Sequence, residues 1–279
     1  MKISLLGVKW DKYQCFRSGS IRGIDILRKA LIANTTELNI YRPDWNINLY
    51  DTEVQDLGDI EPGDEAELVA LTAEKLKLSQ GLLVSLGGSH AISFGPVSVL
   101  KPENFVMIDA HSDLYPKDHH EPEWMKHDED ELSQENVAWC VSESGVKVHL
   151  YGQRVFAPEE EQYMKEKQIV LSTLEQLKQI QGSIYLSIDF DCLDPSVFLP
   201  VGNPEPSGLS FEDVLKAVRQ VADRVVAVDF VEFTPFTSDG TGNDLNRIYS
   251  RLAAKLIWNV LAEIKKAKEA GAPAGISNL

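Results

Sequence analysis

Phe105-Val106-Met107-Ile108-Asp109-Ala110-His111-Ser112-Asp113 passes from four apolar side chains to three ionisable ones within a single short stretch. A continuous apolar run bounded by polar residues is the pattern of a strand buried on both faces of a parallel sheet. In an extended chain, residues two apart face the same side, so Asp109 and His111 converge. Asp113 joins them if the extended geometry persists beyond the sheet. Two carboxylates and an imidazole at one point are costly to bury without a compensating cation. The plainer alternative is a polar turn with solvated side chains.

The same construction recurs elsewhere. Ile184-Tyr185-Leu186-Ser187-Ile188-Asp189-Phe190-Asp191-Cys192-Leu193-Asp194-Pro195 ends an apolar run with Asp189 and Asp191 on one face. Two carboxylates that close raise each other's pKa unless a metal holds both ionised. Asp194-Pro195 starts the following turn. Leu86-Gly87-Gly88-Ser89-His90 places His90 just past a third apolar run, at the sheet edge where open α/β folds bind ligands. Taken alone, His90 reads equally as a satisfied core histidine. A fourth run delivers Val231-Glu232-Phe233-Thr234-Pro235. Together Asp109, Asp113, Asp189, Asp191, His90 and His111 offer oxygen and imidazole donors with no thiolate. That set favours Mn²⁺ over structural zinc and is large enough for two ions. Two such ions roughly 3.5–4 Å apart hold and orient a hydroxide for attack on an electrophilic carbon.

Outward from these motifs, eight short β-like runs punctuate the chain: ISLLGV, NINLYD, LLVSLG, FVMIDA, VKVHLYG, IVLS, IYLSID and VVAVDF. Helical patterns alternate with them. Phe211, Val214, Leu215, Val218, Val221 and Ala222 fall on one stripe behind a Ser210 cap with Asp213 three residues on. Ile248, Leu252, Leu256, Val260 and Ile264 mark a long C-terminal helix. Strands alternating with helices predict a three-layer α/β/α fold. With no linker-like segment, residues 1–279 read as a single domain.

The chain has 43 acidic and 27 basic residues, a formal net charge of −16. Such a charge repels nucleic acid and anionic membrane surfaces, and it suits cationic ligands or bound metal. Two windows hold most of the excess: Asp51–Glu67 with eight acids and no base, and Lys117–Glu135 with eight acids and two bases. Both are expected to be solvated surface loops. The second also carries His119, His120 and His127, so a substrate lid is an alternative there. Cys15, Cys140 and Cys192 are far apart and never paired as CxxC, which fits a reducing cytoplasm. The N-terminal MKISLLGVKWD is too short an apolar run for a signal peptide and reads as a first strand.

The motifs together resemble the ureohydrolase family, which includes arginase, agmatinase and formimidoylglutamase. The resemblance rests on Gly87–His90, Asp109–Asp113, Ser187–Pro195 and Glu232–Pro235, with weaker likeness in Arg17–Gly23 and Asp56–Ile60. It implies an eight-stranded parallel sheet and a homo-oligomer, a trimer or hexamer. It also implies two Mn²⁺ per chain, one held by His90, Asp109, Asp113 and Asp189, the other by Asp109, His111, Asp189 and Asp191. By the same resemblance Asp191 helps hold the nucleophile by hydrogen bonding, and Glu232 holds the guanidinium or amidinium group of the substrate. A carboxylate suits such a planar cation by paired charge-assisted hydrogen bonds.

Two departures from the family pattern stand out. Ser89 replaces an acid that supports the neighbouring His90, and is expected to tune that ligand. The mobile histidine that serves the leaving amine is missing; Val137 or Ala138 fills its place in Asn136-Val137-Ala138-Trp139. His119, His120 or His127 are alternative sources of that group. The pattern by which arginases hold the amino-acid carboxylate is not recognisable. The expected reaction is therefore agmatine to putrescine and urea, with arginine, formimidoylglutamate or another guanidino compound as alternatives. Two other classes compete: a non-catalytic metal-binding homologue with a regulatory or assembly role, and an acidic polyamine-binding module without metal.

Overall fold

Six of the eight apolar runs become strands of one parallel sheet. The computed structural model describes residues 1–12, 16–33, 41–42, 47–48, 52–117, 131–236 and 242–271. In chain order the elements are β1 (Lys2–Val8), α1 (Ile21–Ala33), β2 (Tyr41–Arg42), β3 (Ile47–Asn48), β4 (Glu53–Ile60), α2 (Glu65–Leu76) and β5 (Leu82–Gly87). There follow α3 (Phe94–Leu100), β6 (Asn104–Ile108), α4 (Val137–Glu143), β7 (Lys147–Tyr151), α5 (Pro158–Lys167) and α6 (Leu174–Gln179). The last are β8 (Ile184–Asp189), α7 (Phe211–Val221), β9 (Val225–Val231) and α8 (Gly242–Gly271). The strand order is β4-β1-β5-β9-β8-β6-β7, while β2 and β3 pair separately.

The sheet therefore has seven strands among the described residues, one fewer than expected. IVLS does not become a strand: it makes a single bridge, Leu171 to Leu150 of β7. The chain turns at once into α6, whose N-cap Thr173 accepts from the Gln176 amide. NINLYD contributes only Ile47–Asn48 to the small hairpin within the described residues. The seventh strand is instead β4, in the acidic window expected to be a loop. Its register with β1 pairs Lys2 with Glu53 and Ile3 with Val54. The charges are accommodated because β4 is an edge strand and cations face them. Lys9 Nζ lies 3.0 Å from Asp59 and 3.3 Å from Glu61, Lys2 pairs with Glu53 at 3.1 Å, and Arg28 pairs with Asp56 and Asp59. Charge on an edge also discourages a further strand from adding there.

Alternating strand residues divide between two apolar layers. One joins Leu5, Val84, Val106, Leu186 and Val228 to Ile24 and Leu27 of α1, Val214 and Val218 of α7 and Leu256 and Val260 of α8. The other joins Leu6, Leu83, Phe105, Tyr185 and Ala227 to Leu68 of α2, Val97 of α3, Val141 of α4 and Met164 of α5. The result is the three-layer α/β/α arrangement. Ser210 caps α7 through a capping box with Asp213, and Val214, Leu215, Val218 and Val221 are buried, as the stripe predicts. Consecutive long strands β5 and β6 lie apart, with β9 and β8 inserted between them. That separation opens a crevice at their carboxyl ends.

Candidate metal centre

The four adjacent strands β5, β9, β8 and β6 each end in a functional side chain. After β5, a Cβ on Gly88 would collide with the Trp10 carbonyl, so only glycine lets the chain pass. The Ser89 amide donates to that carbonyl at 2.8 Å. Ser89 Oγ then accepts from the Ala91 amide at 3.3 Å, capping a 3-10 turn over His90–Ser93. His90 is thereby aimed across the sheet end, its side chain 1% exposed. Its Nδ1 lies 2.8 Å from Asp109 Oδ2, 2.8 Å from Asp113 Oδ2 and 3.4 Å from Asp189 Oδ2.

Backbone amides fix the carboxylates. Asp109 Oδ1 accepts from the His111 amide at 2.7 Å, Asp189 Oδ1 from the Asp191 amide at 2.7 Å, and Asp191 Oδ1 from the Ala110 amide at 3.1 Å. His111 Nδ1 lies 3.0 Å from Asp191 Oδ2 and 3.6 Å from Asp109 Oδ1. Asp113 adopts a left-handed backbone, φ 51°. Such a conformation costs about 1–3 kcal/mol and persists where the surroundings over-determine it. Here Glu160 does so. Its Oε1 accepts from Ser112 Oγ at 2.5 Å and the Leu114 amide at 3.1 Å, bracketing Asp113, and its Oε2 accepts from the Ala157 amide at 2.6 Å.

The electrostatics of this cluster call for added positive charge. Burial, then the neighbouring Asp191 and Asp109, push Asp189 well above the usual carboxylate range. Burial and Asp109 raise Asp191, and the same two causes push Asp113 up to about 7. Burial works against a charged His111, yet Asp191 and Asp109 push it up to about 12. His90 is raised in the same way, against its burial, by Asp109 and Asp113. His90 Nδ1 and Asp109 Oδ2 are buried and make no hydrogen bond, despite their 2.8 Å separation. A shared cation would satisfy both atoms. Two donor groups, His90–Asp109–Asp113 and Asp109–His111–Asp191, each bring their ligand atoms within 4.8 Å of one another. They share Asp109. The residues present therefore fit a pair of divalent cations with oxygen and imidazole ligands.

The cluster forms the floor of a cavity of about 370 Å³. Glu232 reaches it from the end of β9, also with a left-handed backbone, φ 64°. Its Oε1 accepts from the His90 amide at 2.9 Å, and its own amide donates to the Gly88 carbonyl at 2.9 Å. Phe16, Tyr115, Val155 and Phe156 give the cavity apolar walls, and Glu135 and Glu160 add acids. Among the described lining residues none is Lys or Arg.

Ser187 figured in the sequence only as the first residue of the Ser187–Pro195 motif, and Asp229, Asn203 and Arg154 had not stood out. His90 Nε2 meets Ser187 Oγ at 2.8 Å, and Ser187 bonds Asp229; the hydroxyl against the His90 ring is thus that of Ser187, whereas Ser89 meets Gln134 and the Ala91 amide. His111 Nε2 meets the Asn203 amide group at 3.0 Å. Arg154 donates to the carbonyls of Gly152, Asp191, Cys192, Glu205 and Pro206. Val137 and Ala138 are wholly buried in the apolar layer on α4, and neither lines the cavity; Gln134 and Glu135, just before them, do. His119, His120 and His127 lie outside the described residues. His149 is engaged with Asn104 at 3.0 Å, on β7.

Comparison with known proteins agrees with this arrangement. A family model described as the arginase family matches residues 1–262. The N(1)-aminopropylagmatine ureohydrolase of Thermococcus kodakarensis is 28% identical over 94% of this chain and 90% of its own length. The agmatinase of Pyrococcus horikoshii is 27% identical over 92% of this chain and 90% of its own. The crystal structure of agmatine ureohydrolase of Thermoplasma volcanium superimposes with a TM-score of 0.75 at 25% identity, covering 97% of this chain and 92% of that one. With a family model spanning nearly all of its length, the chain belongs to the arginase family, the ureohydrolases, and resembles its agmatinase members.

Proposed function

We propose that this chain is a dinuclear Mn²⁺ hydrolase that cleaves agmatine to putrescine and urea, acting as a single domain over residues 1–279. Family membership makes it a hydrolase of C–N bonds in linear amidines. The observation that carries the finer reading is the convergence of His90, His111 and four buried aspartates beneath a cavity that also holds Glu232. One ion would take His90, Asp109, Asp113 and Asp189, the other Asp109, His111, Asp189 and Asp191. When bound, such a pair supplies Lewis acidity and a water activated as a nucleophile near neutral pH.

The remaining roles fall to the chain's own side chains. Glu232, held by the His90 amide, presents a carboxylate to the planar guanidinium and orients its carbon toward the cluster. Asp191 Oδ1 is tied to the Ala110 amide and Oδ2 faces the cluster 3.0 Å from His111, so beside its place in the ligand set this carboxylate would hold the attacking water by hydrogen bonding. Phe16 and Phe156 line the cavity with apolar surface beside these charges. The amine end of the substrate decides between candidates. Agmatine carries a second cation, and the cavity has acids and, among the described lining residues, no Lys or Arg to receive the carboxylate of arginine.

A non-catalytic role is the second reading. It is favoured by the burial of Val137 and Ala138, which leaves no histidine beyond the two of the cluster among the described cavity residues. Assembly as a trimer or hexamer follows from the family resemblance, and a cytoplasmic location from the cysteine pattern; both belong to the same proposal. Cys140 and Cys192 are buried free thiols, in keeping with a reducing compartment. No described helix is long and apolar enough to cross a membrane. Urea release from agmatine, arginine and N-substituted agmatines, with formamide release from formimidoylglutamate, tests the reading. Agmatine or its substituted forms should be turned over fastest. Preference for arginine would overturn the substrate assignment.

A further inference from the structure

Behind His90 lies a buried polar chain that the reaction as described does not use. Asp229 sits inside β9, wholly buried, directly between Ser85 of β5 and Ser187 of β8 in the strand register. Among the described residues no Lys or Arg pairs with its carboxylate. Instead three hydroxyls converge on it: Ser187 Oγ at 2.6 Å on Oδ1, and Ser93 Oγ at 2.6 Å and Tyr185 Oη at 2.7 Å on Oδ2. Ser187 Oγ is also 2.8 Å from His90 Nε2.

The direction of these bonds follows from counting protons. An ionised carboxylate only accepts, and each hydroxyl has one hydrogen to give. Ser187 directs that hydrogen to Asp229, so toward His90 it can only accept. His90 must then carry a hydrogen on Nε2. In the neutral ring that leaves the lone pair on Nδ1, the atom facing Asp109 and Asp113 at 2.8 Å.

We propose that Asp229, acting through Ser187, is a positioning residue that fixes the ring orientation and ligating tautomer of His90, and so sets the affinity of one of the two cation sites. This rests on the dinuclear reading above. His111 has a different outer partner, Asn203, so the second site is not governed by Asp229. Partners of this kind change metal affinity by about 10–100-fold when lost.

The test is Mn²⁺ binding to the full chain, followed by calorimetry and by electron paramagnetic resonance of free Mn²⁺. The parent should bind two equivalents. Asp229→Asn should weaken one equivalent by about 10–100-fold and leave the other within about threefold. Ser187→Ala should weaken the same equivalent, Ser187→Thr should restore it, and the double variant should lose no more than either single one, because both cut one chain. A merely structural role would give additive losses. If Asp229→Asn does not fold, the Ser187 variants carry the test. Parental affinity at both sites in folded variants, or equal weakening of both sites, overturns the proposal while the dinuclear reading stands. A parent that binds no Mn²⁺ overturns both.

Discussion

Glu232 concentrates several constraints in one residue. A bulky non-glycine side chain in the left-handed region is rare, yet its φ is 64°, and the carboxylate is almost fully buried against the His90 amide. The strain is tolerated because it turns the acid from the end of β9 into the cavity. Glu232→Gln retains shape and hydrogen bonding but loses the charge. Loss of a charge-assisted contact to a cationic substrate should lower kcat/KM for agmatine by about 10²–10³-fold. Metal content by elemental analysis should stay unchanged, since Glu232 is not among the proposed ligands. The identities of the six candidate ligands could be read from the chain because each stands at the end of an apolar run. Ser187, Asp229 and Ser85 carried a fainter signal: each is a lone polar residue inside an apolar strand. Only the lateral register of β5, β9 and β8 aligns them, and that pairing is a long-range property that no local pattern contains.

Among the elements, buried strands were legible and edge features were not. β5, β6, β8 and β9 are continuous apolar runs because helices cover both of their faces. β4 reads GluValGlnAspLeuGlyAspIle, with charges that suit solvent; it pairs with β1, buries Leu57 and Ile60, and its acids meet Lys2, Lys9 and Arg28. Asn136–Trp139 was legible as a departure from the family, but not as a helix whose Val137 and Ala138 face the core. Arg154 is the clearest case of one side chain organising a loop. Its guanidinium ties five carbonyls together, joining the segment of Glu205 and Pro206 to Asp191 at the cluster. Arg154→Met leaves those carbonyls without their donor and should destabilise the fold by about 2–4 kcal/mol. A thermal melt should show a midpoint lowered by roughly 5–10 °C. An unchanged midpoint would mean that water or a neighbouring side chain replaces the guanidinium.

For the whole molecule, the net charge of −16 resolves into populations with different roles. Asp109, Asp113, Asp189 and Asp191 are buried at the cluster, while the acids of β4 are paired along a sheet edge. The buried set couples stability to pH with a definite sign. Burial and Asp109 push the Asp113 carboxyl up to about 7, above the ordinary carboxylate value of 3.8. Its contribution to the stability of the metal-free fold is therefore full below its unfolded pKa and is lost as pH rises through about 7. His111, pushed up to about 12 against its burial by Asp191 and Asp109, acts in the same direction above the ordinary imidazole value of 6.5. Bound cations replace those protons, so metal uptake releases protons and tightens as pH rises. The gain in melting temperature on adding Mn²⁺ should be larger at pH 8 than at pH 5.5; a gain that shrinks with pH would contradict this coupling. The central claim, a dinuclear guanidino hydrolase, is tested most directly by titrating the metal-stripped protein with Mn²⁺ while measuring urea release from agmatine. Activity should appear as the second equivalent per chain is taken up, and chelation should abolish it. No urea from protein holding two equivalents, or full turnover after metal removal, would contradict the account.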